Sequence, residues 1–424
     1  MPTMQPRSHQ GPGASAQMDL FIGLDAVMAA YSNGAEVSNE AMYERVRQTS
    51  GIEADQWEQR APVGRAGASR CLAERRARWH QQTLRDLGII ERVPGKRGVW
   101  RLVAGKDMAL TPAPAGVALL AYSTRLGLAL WSDCAMLQRV DEPVALCVTS
   151  PPYPLRQPRA YGNPTAQEFS DFITVALEPV VRTLLPGGSI ALNLSNDIFE
   201  PGSPARSLYL ERLTIALHER LGLQLMDRLV WHNPSKPPGP MQWASRTRQQ
   251  LNVGYEPVLW FTNDPQACFA DNRRVLQPHS DRHARFVAMG GHQHERSHSD
   301  GAYRKRPGAY GKPTAGKIPK NVLSFAHQSQ EAMNSRQKVR AASLPVHGAP
   351  FPLGLAKFLV QFLSRPGDLV LDIFSGWNTT GLACELTGRR WLAFEKHAQY
   401  AAGGSFRFES FEGFERGFEL QAST

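Results

Sequence analysis

Short apolar runs of strand length alternate with amphipathic stretches of helical length over residues 117–261, and the alternation resumes over residues 351–394. Residues 144–149, 189–194, 223–231, 257–261, 368–374 and 390–394 have the apolar character of buried strands. Residues 166–185, 353–364 and 379–386 carry the apolar spacing of helices. Such alternation implies an α/β fold with a mostly parallel, doubly wound sheet. The first of these helices is expected to stop at Leu185-Pro186-Gly187-Gly188, ahead of a buried strand.

The rest of the 424 residues falls outside this rhythm. Residues 1–17 are polar and read as a disordered tail. Residues 18–105 read as a small winged-helix-like module: a helix over 19–31, Ser38 as the cap of a helix through Val46, a basic helix over 70–87, and a two-stranded wing about the turn Pro94-Gly95-Lys96-Arg97-Gly98. Arg70, Arg75, Arg76, Arg78 and Arg85 on the basic helix, with Lys96 and Arg97 at the wing tip, suit phosphate contact. A dimerisation or scaffolding role stays open for this module. A Pro-containing linker at 106–117 leads into the main domain, 118–262 and 345–408, which a loop-rich insert at 263–344 interrupts. Residues 409–424 form a C-terminal tail.

The net charge of +10 is concentrated. From Asp271 to Arg340, fourteen Lys and Arg face five Asp and Glu, so this one sixth of the chain supplies nearly all the excess. A local basic block of this kind faces a polyanion more often than not. Five cysteines without a C-x-x-C pair argue for a reducing compartment and against zinc or disulfides. His292, His294 and His298 lie among Gly, Ser and Arg with no cysteine partners, so no metal is expected. No apolar run approaches membrane-spanning length.

Two places carry chemistry. The apolar run 144–148 stops at Thr149-Ser150-Pro151-Pro152-Tyr153, which brings a hydroxyl, fixed backbone carbonyls and an aromatic ring into one space. The prolines lock φ and cannot donate, so the carbonyls stand as acceptors suited to an exocyclic amine on a flat base. A plain Pro-terminated strand is the alternative. The second place is Leu369-Val370-Leu371-Asp372-Ile373-Phe374-Ser375-Gly376-Trp377-Asn378-Thr379-Thr380-Gly381, a buried strand feeding a tight loop that opens a helix. In doubly wound folds ligands bind at the carboxyl ends of such strands, and Glu395, 23 residues beyond Asp372, can accept from both hydroxyls of a ribose. A nicotinamide site remains compatible with that logic, although the loop is not G-x-G-x-x-G.

Ser150-Pro151-Pro152-Tyr153 after a strand, followed downstream by Phe351-Pro352, the strand to Asp372 and the Phe-x-Gly-x-Asn-Thr-Thr loop, resembles the S-adenosylmethionine-dependent DNA amino-methyltransferases. The order, with the catalytic motif first, the cofactor motif last and a basic insert between, is similar to the β group of that family. Serine at the first motif position resembles the cytosine-N4 enzymes of restriction-modification systems. The likeness covers roughly residues 118–408. Ile373, where many relatives have proline, departs from it.

The resemblance implies a Rossmann-like methyltransferase domain and methyl transfer from S-adenosyl-L-methionine to the N4 amine of a flipped cytosine in double-stranded DNA. Ser150, Pro151, Pro152 and Tyr153 are then the catalytic group. Phe374, Ser375 and Gly376 contact the methionine part of the cofactor, Asn378, Thr379 and Thr380 its carboxylate, and Glu395 its ribose. Asp372, Asp133 and Phe351 complete the cofactor set. DNA contacts are expected from Arg156, Arg159, Lys236, Arg246 and Arg248 in two polar loops. The insert adds Arg273, Arg274, Arg304, Lys305, Arg306 and Lys312 as the target-recognition lobe. The resemblance implies a bacterial or phage-encoded cytoplasmic protein, leaves monomer and homodimer open, and allows a cognate restriction endonuclease as companion. An adenine-N6 methyltransferase on the same fold, a catalytically silent DNA-binding regulator and an RNA substrate are the competing readings.

Overall fold

The computed structural model describes residues 27, 30–31, 36–50, 52, 54–63, 68–86, 90–102, 110–155, 162–236, 238–297, 301, 303–327, 329–348 and 350–418. The chain forms two compact units that divide after Asp107.

In the first unit, β1 (Val37–Ser38) runs into α1 (Asn39–Thr49), where Ser38 Oγ accepts from the Ala41 N–H at 3.2 Å. A short α2 (Ala54–Trp57) precedes a hairpin of β2 (Arg60–Val63) and β3 (Ala68–Cys71). The basic helix α3 (Leu72–Asp86) therefore starts two residues later than the sequence predicts, because Arg70 and Cys71 are paired in that hairpin. Next come β4 (Ile90–Arg92) and β5 (Val99–Leu102), which form with β1 a three-stranded antiparallel sheet in the order β1-β5-β4. Trp100 is fully buried, and its indole N–H donates to Asn39 Oδ1 at 3.2 Å. Most of the helix expected over residues 19–31 lies outside the described residues.

The second unit is built on a ten-stranded sheet. Its strands in chain order are β6 (Ala118–Ser123), β7 (Gly127–Ser132), β8 (Val144–Thr149), β9 (Leu184–Asn193), β10 (Gln224–His232), β11 (Tyr255–Thr262), β14 (Val322–Ser324), β15 (Leu369–Asp372), β16 (Arg390–Glu395) and β17 (Glu415–Arg416), with a separate ladder of β12 (Arg296–Ser297) and β13 (Arg304–Lys305). Across the sheet the order is β14-β10-β11-β9-β8-β15-β16-β7-β6-β17. The five central strands, β9 to β7, are parallel. Every residue of β8 and of β15 is buried, as expected of strands covered on both faces.

Helix α4 (Phe169–Thr183) joins β8 to β9 on one side, while α9 (Thr379–Glu385) joins β15 to β16 on the other. Right-handed crossovers that step in opposite directions place these helices on opposite faces. The strand order thus reverses between β8 and β15, where a crevice opens at the carboxyl ends. α4 and α5 (Tyr209–Leu221) share one apolar core with the sheet through Phe169, Ile173, Leu177, Leu213 and Leu217. α8 (Leu353–Leu363) packs on α9 in a second layer.

Three segments depart from the sequence prediction. The expected helix stop at 185–188 is already strand, since β9 begins at Leu184 and its pairing with β8 jumps from Val144↔Leu184 to Leu146↔Ser189. The bulge absorbs the Pro-Gly-Gly run, and a Cβ on Gly187 (φ +78°) would stand 2.0 Å from the Ala267 carbonyl oxygen. The insert is not a continuous loop-rich lobe. It holds α6 (Asp281–Ala288), but β14 joins the sheet edge parallel to β10, and α7 (Gln330–Ala341) follows with Ser329 as its cap. The C-terminal tail supplies β17, which pairs with β6. Linker residues are also engaged: the Ala113 N–H donates to the Lys396 carbonyl at 2.7 Å, and α10 (Ala398–Ser405) begins two residues after Lys396. No helix among the described residues is long and apolar enough to cross a membrane.

Candidate active site at the carboxyl ends of the parallel strands

A cavity of about 620 Å³ occupies the switch-point crevice. Its wall is drawn from the ends of four parallel strands: Ser132 and Asp133 after β7, Ser150 to Tyr153 after β8, Ile373 to Gly376 after β15, and Glu395 to His397 at the end of β16. Phe351, Thr379, Lys236, Glu256 and His347 close it. The two sequence sites, more than two hundred residues apart in the chain, therefore share one space.

On the β8 side, all four residues of Ser150-Pro151-Pro152-Tyr153 face the cavity. Ser150 Oγ and Tyr153 Oη are 2.9 Å apart. Behind them stand groups that sequence reasoning missed. The Asn193 amide, at the end of β9, donates to Tyr153 Oη at 2.7 Å and to Glu256 Oε2 at 3.1 Å. Lys236 donates to Glu256 Oε1 at 3.2 Å. Lys236, expected on DNA, is thus a partner of this network, with both side chains of the pair 18% exposed.

The β15 side is organised around Asp372, whose residue is 1% exposed. Thr149 Oγ1 donates to its Oδ1 at 2.7 Å, Thr380 Oγ1 to its Oδ2 at 2.6 Å, and the Phe374 N–H to Oδ1 at 3.2 Å. Burial pushes this carboxyl up to about 6 even though those three donors favour its charged form. Asp372 is absent from the cavity wall. It holds together the strand end, the following loop and α9.

Asn378 and Thr380 likewise build the loop and are not part of the wall. Asn378 sits in the left-handed region (φ 52°) as the cap of α9; its Oδ1 accepts from Gly381 N–H at 2.8 Å and its amide donates to Tyr122 Oη at 3.0 Å. Asparagine tolerates that backbone and caps a helix, so one residue serves both the turn and the helix start. Phe374, Ser375, Gly376 and Thr379 do reach the cavity. Gly376 is required by space: at φ +53°, a Cβ there would lie 2.9 Å from His347 Nε2.

Glu395, 8% exposed, holds the loop from beneath by accepting the Gly376 N–H at 2.8 Å and the His397 N–H at 2.8 Å. Asp133 accepts from Ala135 N–H at 3.0 Å and faces Lys396 at 3.1 Å. Burial opposes its charged form, yet those two donors hold its carboxyl below the ordinary value. Phe351 is buried and contributes to the wall just before α8.

The expected DNA contacts separate into several classes. Arg156 and Arg159 lie outside the described residues, as does His298. Arg246 and Arg248 are exposed in the loop after β10, Arg248 with a positive φ of 62°. Arg306 and Lys312 are exposed on the insert. Arg304 is ion-paired to Glu295, and Lys305 lies over the Tyr303 ring at 5.8 Å. Arg273 folds back onto Asp271, its Nη2 2.8 Å from Oδ2, while remaining 82% exposed. Arg274 donates to the Phe269 and Phe362 carbonyls, the latter at 2.8 Å, and so ties the insert to α8. Among the described residues no group of three or more His, Cys, Asp or Glu could hold a metal ion.

Comparison with known proteins places this geometry. A family profile, N6_N4_Mtase, a DNA methylase, matches residues 144–404. The Type II methyltransferase M.PvuII of Proteus hauseri is 32% identical over 278 residues, covering 63% of this chain and 79% of that protein. The Type II methyltransferase M.BglII of Bacillus subtilis is 25% identical, covering 62% of this chain and 63% of its own. Among solved structures, PvuII DNA methyltransferase (cytosine-N4-specific) superposes with a TM-score of 0.53 at 28% identity, over 68% of this chain and 89% of that one.

Proposed function

Because the chain belongs to the DNA methylase family, we propose that it is a site-specific DNA methyltransferase that moves a methyl group from S-adenosyl-L-methionine to the exocyclic N4 amine of a cytosine. The observation that carries the base-facing half is the acceptor turn at Ser150, set in the same cavity as the Gly376–Glu395 loop. The similarity to M.PvuII and to the cytosine-N4-specific PvuII structure supports cytosine N4 over adenine N6.

The residues present fit the cofactor. The wall offers a loop of small residues that lets a ligand approach the backbone, and the acidic side chains of Glu395 and Asp133 at the strand ends. Phe374, Ser375 and Gly376 would take its methionine part and Thr379 its carboxylate. Glu395 would take its ribose, and Asp133 with Phe351 its adenine end. Bound there, S-adenosyl-L-methionine supplies an already activated methyl group at its sulfonium.

The chain's own contribution is positioning and electrostatics. A cytosine amine is a poor nucleophile because its lone pair is delocalised into the ring. Ser150 Oγ and the Pro151 carbonyl accept its N–H groups, which frees the lone pair as the new bond forms, and Tyr153 stacks on the ring. Reaching that turn requires the base to leave the duplex stack. The exposed cations of the insert and of the loop after β10, with Arg156 and Arg159, grip the phosphates. The first unit acts on DNA affinity or oligomeric state through its basic helix. In this reading the enzyme protects sites in a bacterial or phage restriction-modification system, beside an endonuclease that cuts the same sequence.

Incubating the protein with S-adenosyl-L-methionine and unmethylated DNA, then hydrolysing the DNA to nucleosides for mass spectrometry, tests the assignment. N4-methylcytosine is the expected product. N6-methyladenine alone, or no methylated nucleoside, would overturn it.

A further inference from the structure

The Ser150 turn has a polar backing that methyl transfer as described leaves unused. Tyr153 Oη lies at the meeting point of three elements: 2.9 Å from Ser150 Oγ on its own turn, 2.7 Å from the Asn193 amide of β9, and 3.3 Å from Glu256 Oε2 on β11. Asn193 also donates to that carboxylate oxygen at 3.1 Å, and Lys236 fills the other at 3.2 Å. Bonding capacity gives this chain a direction. A carboxylate only accepts, an ammonium and an amide nitrogen only donate, and a phenol has one proton and two lone pairs. Asn193 takes one lone pair of Tyr153. The phenol proton goes to Glu256, because a carboxylate has no proton to give and the contact between them holds only if Tyr153 donates. With that proton committed, Ser150 is the donor in the 2.9 Å contact between the two hydroxyls.

With its proton turned toward Tyr153, Ser150 presents lone pairs alone to the cavity. We propose that Glu256 is a positioning residue for the transfer: acting through Tyr153, its carboxylate sets the Ser150 hydroxyl as a pure acceptor for the amine of the target base. This rests on the amino-methyltransferase reading and names what orients its acceptor. The opposite orientation, with Tyr153 donating to Ser150, deprives Glu256 of one donor and lets the serine proton turn toward an amine that already carries protons. Lys236 sits across the carboxylate and balances its charge inside the wall.

The test is a double-mutant cycle of the full-length protein with Glu256→Gln and Tyr153→Phe, measuring kcat and KM on DNA, with S-adenosyl-L-methionine affinity followed separately. Glutamine keeps the shape but sets an NH2 group against a position already filled by a donor; phenylalanine keeps the ring and removes the relay. Each single variant is expected to lower kcat at least tenfold with cofactor affinity and KM for DNA unchanged. The double variant is expected to fall no further than the weaker single, because both break one chain. Glu256→Asp should recover part of the rate. A wild-type kcat in Glu256→Gln, losses that multiply in the double variant, or a parallel loss of cofactor affinity would each overturn the proposal. If the wild-type protein forms N4-methylcytosine, these outcomes bear on Glu256 alone; if it does not, the reading beneath has failed instead.

Discussion

The two sides of the cavity are built on opposite plans. On the β15 side the polar side chains are spent mainly on architecture: Asp372 is held by Thr149, Thr380 and a backbone N–H, Asn378 caps a helix, and Glu395 clamps Gly376 while also reaching the cavity wall. On the β8 side the hydroxyl, the phenol and the ion pair border the cavity itself. One side makes a rigid cradle of backbone and small residues; the other presents side-chain chemistry. The contrast teaches that residues of one sequence motif divide into those that border the cavity and those that shape the loop for their neighbours.

The strongest challenge to this contrast is Asp372→Ala. It removes the acceptor shared by two hydroxyls and an N–H inside the core and leaves a cavity, so a loss of roughly 3–5 kcal/mol in urea unfolding and loss of cofactor binding are expected together. Asp372→Asn keeps the shape and isolates the charge. The folded carboxyl at about 6 lies above its ordinary 3.8, so its contribution is fully present below pH 3.8 and is lost as pH rises through 6. Relative to Asp372→Asn, the wild type should therefore lose about 3 kcal/mol of stability in all between pH 3 and 7, about 2 of it between pH 4 and 6, and change little above 7. A flat difference in pH-dependent unfolding would show that the buried charge is compensated elsewhere.

Ser150→Ala probes the opposite side. The expected result is a fall in kcat of about a hundredfold with calorimetric cofactor affinity intact, the size typical of losing one positioned hydrogen-bonding group. Equal damage to binding in Ser150→Ala and Asp372→Ala would erase the division. Gly376→Ala should be milder: a left-handed residue pressed against His347 is expected to weaken cofactor binding about tenfold while kcat at saturation holds. The smallest effect belongs to Lys312→Ala, which should weaken all DNA sequences alike and lower the salt slope of binding by about one. Arg274→Ala, by contrast, should alter unfolding and leave that slope alone, since its guanidinium binds carbonyls.

The parallel centre of the sheet was legible in the sequence because strands buried on both faces must be continuously apolar, and Val144 to Val148 and Leu369 to Leu371 are. Its site ends were legible for the same reason, since polar and small residues that interrupt such runs have few other places to go. Asp372 was legible as the residue that closes a buried strand, while only the folded structure reveals that both of its oxygens are taken. Asn193, Lys236 and Glu256 were not legible as a group. They come from separate elements, and they meet because β9 and β11 run antiparallel with Asn193 opposite Val258, a register that local pattern does not encode. A polar residue closing the strand beside β8 was the one available hint. The bulge at Gly187 and the return of β14 to the sheet were hidden too, because both are set by tertiary pairing.

The adjacency of β8 and β15 has a consequence for the order of events as the chain is made. Leu146 pairs with Val370 and Cys147 with Leu371, so the central ladder joins segments 224 residues apart. Such long loops must close before their contacts repay the entropy, which slows the step. During synthesis, which proceeds from the amino end, the Ser150 turn emerges early and waits. The first unit can form while no methyl donor can yet be held, so a ribosome that stalls before β16 leaves a nascent chain unable to mark DNA.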